Sequence, residues 1–216
     1  MSAIEISQDR LIALQRFGTA TIHEAQGQRG AIDPRVAALD PRRRLIGPAL
    51  TVDMRPSDNL MIHYALTKAR RGDVLVVDVK GFVDAGPWGD ILTLAAQEIG
   101  IAGLVINGAV RDADSIIELG FPVFCRGLCI KGTNKNQPGR VNVPVMIGGV
   151  DIHPGDIVVG DRDGLVVVAR NEVAEVIRAS EERERKEATM RERLKQGATM
   201  VELLGLQDTL NRYGLV

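Results

Sequence analysis

Asp90, Arg111 and Asp112 are the residues of this chain whose types and spacing could do chemistry. Asp90 stands in Trp88-Gly89-Asp90, and Arg111-Asp112 follows after residues 91–110, a gap of twenty. Each motif follows an apolar run and opens a helical pattern. If the two preceding strands are neighbours in a parallel sheet, all three side chains share the rim beyond the strands' carboxyl ends, where open α/β sheets bind ligands. Helices starting at 91 and 113 would aim free N–H groups and positive dipole ends at that rim, which suits an anion. The backbone of Gly89, Asp90, Ile91 and Leu92 could take a carboxylate, and Arg111 could hold another oxygen of the same molecule in bidentate fashion. Asp112 could hold a hard cation such as Mg²⁺ largely through water. This set suits a small oxo-acid, with the cation and Arg111 stabilising an enolate as it forms. A structural alternative stands beside it. Asp is favoured at helix N-caps and first turns, and Arg111 has Asp114 as a surface partner.

The elements that must position these residues follow from pattern. Residues 8–27 predict a helical opening in which Thr19 or Thr21 caps a second short helix. Leu45 to Val52 predicts a strand, and Asn59 to Ala69 a helix with Asp58 as N-cap. The apolar runs Val74 to Val79, Gly103 to Asn107 and Pro122 to Cys125 predict buried strands. Between them, Ile91 to Ile99 and Ala113 to Leu119 predict helices ended by Gly100 and Gly120. This β-α-β-α-β succession argues for parallel pairing. Residues 80–89 and 131–140 predict loops, the latter exposed; Val141 to Ile147, Ile157 to Val159 and Leu165 to Val168 predict short strands. Asp163-Gly164 lies between the last two as a hairpin signal. The similar starts Gly72-Asp73 and Gly155-Asp156 read as a common way to begin a strand rather than a repeat. Asn171 to Gln196 predicts one long helix with Asn171 as N-cap. From Glu181 to Arg193 only Ala188 and Met190 are apolar, so this part is either solvated or laid on a neighbouring subunit.

Composition bounds the class. A chain of 216 residues, 45% hydrophobic and 25% charged, suits a single domain over residues 1–216 with a sizeable core. Aromatics at 3% make that core aliphatic. A net charge of −1 lacks the basic excess of a nucleic-acid binder. Met1 to Arg10 has no apolar signal core and no stretch approaches membrane-spanning length, so the expectation is a soluble, cytoplasmic protein without membrane or nucleic-acid partners. Cys125 and Cys129 are too few for a disulfide framework or a zinc site. His23, His63 and His153 form no i, i+4 pair. The basic run Lys131-Gly132-Thr133-Asn134-Lys135 could attract an anion but reads as a solvated loop.

Gly89-Asp90, the gap and Arg111-Asp112 together resemble the signature of the RraA-like family, which includes the class II 4-hydroxy-4-methyl-2-oxoglutarate/4-carboxy-4-hydroxy-2-oxoadipate aldolases. Thr19-Ala20-Thr21-Ile22-His23-Glu24-Ala25, Ile106 to Asp112, Val141-Asn142-Val143-Pro144-Val145, Gly148-Gly149-Val150 and Pro154 to Val168 agree. The resemblance covers roughly residues 10–195. It implies an α-β-β-α sandwich with a mixed central sheet and a long C-terminal helix over 171–196, assembled as homotrimers or hexamers with sites between subunits. It implies retro-aldol cleavage that depends on Mg²⁺, Mn²⁺ or another divalent metal and releases pyruvate, often with oxaloacetate decarboxylation. By that resemblance Gly89, Asp90, Ile91, Leu92 and Arg111 bind substrate, Asp112 holds the metal, and Asp90 assists proton transfer or orients water. Glu187, with Glu184 as the alternative, would complete the site from a neighbouring subunit. One departure is that the further acidic residue expected three positions after the metal-binding Asp is Ser115, with Asp114 one step early. The family also contains a non-enzymatic branch that inhibits the endoribonuclease RNase E. That branch typically lacks the Asp after the Arg, and this chain has it.

Overall fold

A computed structural model describes residues 6–215; residues 1–5 and 216, part of the span read as one domain and of the N-terminal segment read as having no signal core, lie outside the described residues. The chain opens with α1 (Gln8–Gln15) and α2 (Thr19–Ala25), then runs β1 (Ala37–Ala38), β2 (Leu45–Asp53), α3 (Leu60–Leu66), β3 (Val74–Asp78), α4 (Asp90–Ile99), β4 (Gly103–Ile106), β5 (Ala109–Val110), α5 (Ala113–Leu119), β6 (Val123–Cys125) and β7 (Gly127–Leu128). It continues through β8 (Arg140–Val141), β9 (Val145–Ile147), β10 (Val150–Ile152), β11 (Ile157–Asp161), β12 (Gly164–Val168), α6 (Val173–Lys195), α7 (Met200–Leu204) and α8 (Gln207–Arg212).

The main sheet has the order β1-β6-β4-β3-β2-β11-β12, with β8 also on β2. Strands β2, β3, β4 and β6 are parallel, as the alternation of strands and helices predicts. β11 joins β2 antiparallel and forms a hairpin with β12 at Asp161 and Gly164, so the sheet is mixed. It curls until its ends nearly meet: Ala31 bridges Val166, and Ile32 N–H donates to the Leu165 carbonyl.

The period-two alternation of the strands builds the layers. Leu50, Val52, Leu75, Val77, Leu104 and Ile106 face α3, α4 and α5 through Ile62, Ala65, Ala96 and Ile116. The intervening residues Ala49, Val74, Val76 and Val105 face inward onto Val158, Leu165 and Val167 of the curled-over strands and onto Ile147 and Ile152. The outer face of β11 and β12, with Ile157, Val159, Val166 and Val168, packs on Leu14, Phe17, Ile22, Val173 and Val176 of the helical layer. The result is an α-β-β-α sandwich with a long C-terminal helix.

Several local expectations change. Gly18, not Thr19 or Thr21, occupies the N-cap of α2; Thr19 is the first helical residue and bonds Asp161 through both N–H and hydroxyl. Asn59 takes the N-cap of α3, whose helix is shorter than the predicted 59–69. The Asp58 carboxylate still accepts from Leu60 N–H, but its other oxygen accepts from Asn136 and Gln137, tying the 131–140 loop down. Burial opposes the charge on Asp58, but these three backbone donors outweigh it and hold the carboxyl below its ordinary range. Glu172 rather than Asn171 caps α6. The run 141–147 is not one strand: Asn142 takes a left-handed φ of 58°, so β8 pairs with β2 while β9 turns into β10 through Gly148 and Gly149, both at positive φ.

Candidate active site

The loop after β3 is anchored by Trp88, which is fully buried. Its ring stacks on Phe121 at a centroid distance of 6.1 Å, and its indole N–H donates to Thr93 Oγ1 at 2.7 Å. The Thr93 hydroxyl donates in turn to the Gly89 carbonyl at 3.0 Å. The first turn of α4 therefore locks Trp88 and Gly89 together. Thr93→Val would leave the indole N–H buried without a partner and is expected to cost about 1–3 kcal/mol, read as a lower urea midpoint with unchanged slope.

The second motif is bound to the first by backbone: Arg111 N–H donates to the Trp88 carbonyl at 2.9 Å. Gly86 is required by this approach, and Gly89 leaves the space that the Asp112 carboxylate occupies. A Cβ on Gly86 would overlap the Cys129 carbonyl and crowd Arg111, and one on Gly89 would overlap Asp112 Oδ2 and crowd the Arg111 side chain. Gly132 lies alongside the Arg111 guanidinium, so the otherwise exposed 131–140 loop borders the site.

Asp112 itself is left-handed, with φ 58° and ψ 41°, a conformation Asp tolerates better than most residues at some cost. It stands at the N-cap of α5 without a side-chain capping bond. Its carboxylate turns the other way, with Oδ2 3.4 Å from both Asp90 N and Arg111 Nε. The capping explanation thus does not account for Asp112, and Arg111 pairs with Asp112 rather than Asp114. Asp90 is the first residue of α4, and its Oδ1 accepts from Ile91 N–H at 2.7 Å. Two of the backbone donors expected to meet an anion, those of Asp90 and Ile91, are therefore covered by protein carboxylates that an incoming carboxylate would displace.

Asp90, Asp112, Ala113, Asp114 and Ser115 line an open depression of about 300 Å³. Asp114 and Ser115 both reach its wall, so the displaced acidic position still faces the site. A second depression of about 360 Å³ adjoins it, lined by Asp90, Ile91, Leu94, Ser115, Glu118 and Leu119. Glu187 is not brought to this rim within one chain; on α6 it pairs with Arg183 and Arg191. Glu184 is exposed on the same helix. Cys125 is buried, which pushes its thiol pKa up, and Cys129 is half-buried; both are free. Sequence reasoning missed Thr93, Gly86 and the left-handed turn at Asp112. A glycine within a loop ending in Trp-Gly-Asp was the only visible signal for the close approach.

A mixed, nearly closed sheet with a carboxylate–arginine pair on the rim of its parallel strands defines an α/β protein of one fold class. The chain belongs to the RraA-like family: the family model described as Aldolase/RraA matches residues 19–167. It is 35% identical over 184 residues, 85% of this chain and 87% of its relative, to a Halalkalibacterium halodurans protein named "Putative 4-hydroxy-4-methyl-2-oxoglutarate aldolase". Its fold is similar to the crystal structure of a Pseudomonas syringae pv. tomato protein, with TM-score 0.81 and 32% identity over 93% of this chain and 99% of the other. It is also similar to Streptomyces coelicolor RraAS2, described as an unusual member of the RNase ES inhibitor RraA protein family. There the TM-score is 0.76, with 32% identity over 88% of this chain and 98% of the other. No helix among the described residues is long and apolar enough to cross a membrane.

Proposed function

We propose that this protein is a class II, divalent-metal-dependent lyase that cleaves a 4-hydroxy-2-oxo acid by retro-aldol reaction to release pyruvate, with oxaloacetate decarboxylation as a companion activity. The observation that carries the reading is Asp112, whose carboxylate is turned away from capping α5, set against Arg111, and placed on the wall of an open depression. The relative named as an aldolase supports the reaction class.

A carboxylate oxygen is a hard donor suited to Mg²⁺ or Mn²⁺. Among the described residues no three His, Cys, Asp or Glu side chains are grouped to hold a metal. Asp112, set on the wall of the depression beside Arg111, would be the chain's own ligand, with water and substrate oxygens completing the shell, as Mg²⁺ commonly accepts. When bound, the cation would supply Lewis-acid polarisation of the 2-oxo group. The chain's residues would do the rest. The α4 N-terminus from Gly89 to Leu92 would receive the substrate carboxylate in place of the Asp90 carboxylate. That exchange would free Asp90 to move the 4-hydroxyl proton or orient water. Arg111 would hold the 2-oxo oxygen and stabilise negative charge on it as the C3–C4 bond breaks. Glu187 from a neighbouring copy is our choice for the remaining acidic group.

The shared site requires an assembly, which we expect to be a trimer or hexamer. Ile91, Leu94 and Leu119 beside the site, and Leu194, Met200, Leu204 and Leu206 along the C-terminal helices, are exposed apolar side chains that a second copy would cover. Light scattering should report a trimer or larger; a stable monomer would contradict the shared site.

The test of the activity is pyruvate formation from 4-hydroxy-4-methyl-2-oxoglutarate and from oxaloacetate. Turnover of both is expected, and release from neither would contradict the proposal. A second reading, a protein-binding regulator of an RNase E-type ribonuclease, is favoured by the likeness to RraAS2. Capture of such a ribonuclease by an inactive protein would support it.

A further inference from the structure

At the carboxyl edge of the sheet, five strand ends are joined by polar side chains in a continuous row. Arg126, just after β6, donates from Nε to Asn107 Oδ1 at 2.5 Å. Asn107, just after β4, donates from Nδ2 to Asp78 Oδ1 at 2.9 Å. Asp78, the last residue of β3, accepts from Lys80 through both its N–H and its ammonium, at 2.8 and 2.6 Å. The same ammonium reaches Asp53 at the end of β2 at 2.6 Å, and Asp53 pairs with Arg140 of β8 at 2.8 Å. The row follows the spatial strand order β6-β4-β3-β2-β8.

Two features distinguish this row from ordinary surface pairing. Asp78 and Asn107 are buried, so their partners are needed to satisfy polar groups withdrawn from water. Lys80 holds a left-handed φ of 63°, which folds the start of its loop back over Asp78. Burial weakens the Lys80 charge, but its bonds to Asp53 and Asp78 outweigh that and raise its pKa; burial likewise opposes the charge on Asp53, where bonds from Lys80 and Arg140 prevail and lower it.

Lys80 begins the loop that delivers Gly89 and Asp90, and Asn107 begins the one that delivers Arg111 and Asp112. The two loops are also joined by backbone at this point, where Gly81 N–H donates to the Asn107 carbonyl; from the segment after β6, Arg126 N–H donates to the Gly108 carbonyl. We infer that Lys80 and Asn107 are positioning residues: through the links from Arg126 to Asp53 they set the relative placement of the two loops and thereby the distance between the α4 N-terminus and the Arg111–Asp112 pair. The effect on turnover rests on the lyase reading; the mechanical coupling does not.

The experiment is hydrogen exchange on the full chain, read at the Arg111 amide bonded to Trp88, in Lys80→Met, Lys80→Arg and Asn107→Ser, with Arg140→Gln as the variant at the outer end. Lys80→Met should speed exchange across 107–112, a loop it does not belong to, by about tenfold, through local opening well below global unfolding. Asn107→Ser should do the same to 80–82. Lys80→Arg should restore protection, and Arg140→Gln should leave both loops unchanged. In parallel, kcat/KM for pyruvate release should fall about 10- to 100-fold in Lys80→Met and Asn107→Ser, the effect of roughly ångström misplacement of binding groups, and recover in Lys80→Arg. Should Lys80→Met not fold, Asn107→Ser alone decides. A lower melting temperature with unchanged exchange in the opposite loop, or faster exchange with unchanged kcat/KM, overturns the inference. An inactive wild type would remove the lyase reading and leave the exchange result to decide the coupling.

Discussion

Asp112→Ala is expected to lower pyruvate release by about 10²- to 10³-fold, the usual effect of removing a group that stabilises developing negative charge. The prediction rests on where the carboxylate is. It makes no capping bond to α5, so its loss removes no hydrogen bond from the helix start. A companion variant separates chemistry from structure. Asp112 pays for a left-handed backbone of φ 58°, a strain glycine does not feel. Asp112→Gly should therefore fold with stability within about 1 kcal/mol of the parent while being as inactive as the alanine variant. Melting curves and turnover on the same samples check both halves. Full activity in either variant would remove the proposed role.

Gly89→Ala should be nearly as damaging, for a steric reason. Gly89 has φ −151° and ψ −164°, an extended backbone that alanine adopts freely. Its Cβ would occupy the space of Asp112 Oδ2 and press on the Arg111 side chain. The substitution therefore displaces the two groups proposed to hold metal and oxo-acid while leaving both residues unmutated. Activity should fall about 10²-fold, and Mg²⁺ affinity should weaken with it by about tenfold or more, measured by titrating the metal against turnover. The Trp88–Thr93 and Trp88–Phe121 contacts beneath remain, so the melting temperature should change little. A variant with wild-type turnover would show that the close approach at Gly89 is not needed for catalysis.

The parallel centre of the fold was legible because its signals are local. Val74 to Val79, Gly103 to Asn107 and Pro122 to Cys125 are apolar runs bounded by glycine or proline, and Gly100 and Gly120 end α4 and α5 in left-handed conformations as helix C-caps should. That placement brings Asp90, Arg111 and Asp112 to one rim. What pattern reading could not supply depends on partners distant in sequence. Val141 to Ile147 reads as a single strand until Asn142 turns left-handed and divides it between two sheets. Asp58 reads as a cap, yet most of its bonds reach the loop near 136. The row from Arg126 to Arg140 is invisible in sequence because each member is one ordinary polar residue beside a strand, and only the strand order aligns them. At the site, the direction of the Asp112 carboxylate follows from one backbone angle, and Thr93 matters only because Trp88 folds beneath it.

The role proposed for Asp112 is to bind a divalent metal that the reaction needs. Its most direct test is pyruvate release from 4-hydroxy-4-methyl-2-oxoglutarate by protein stripped with EDTA, before and after Mg²⁺ or Mn²⁺ is restored. No turnover above background is expected in the stripped protein, with recovery on adding either metal and no recovery in Asp112→Ala at the same metal concentration. Undiminished pyruvate release by the stripped wild-type protein would contradict it.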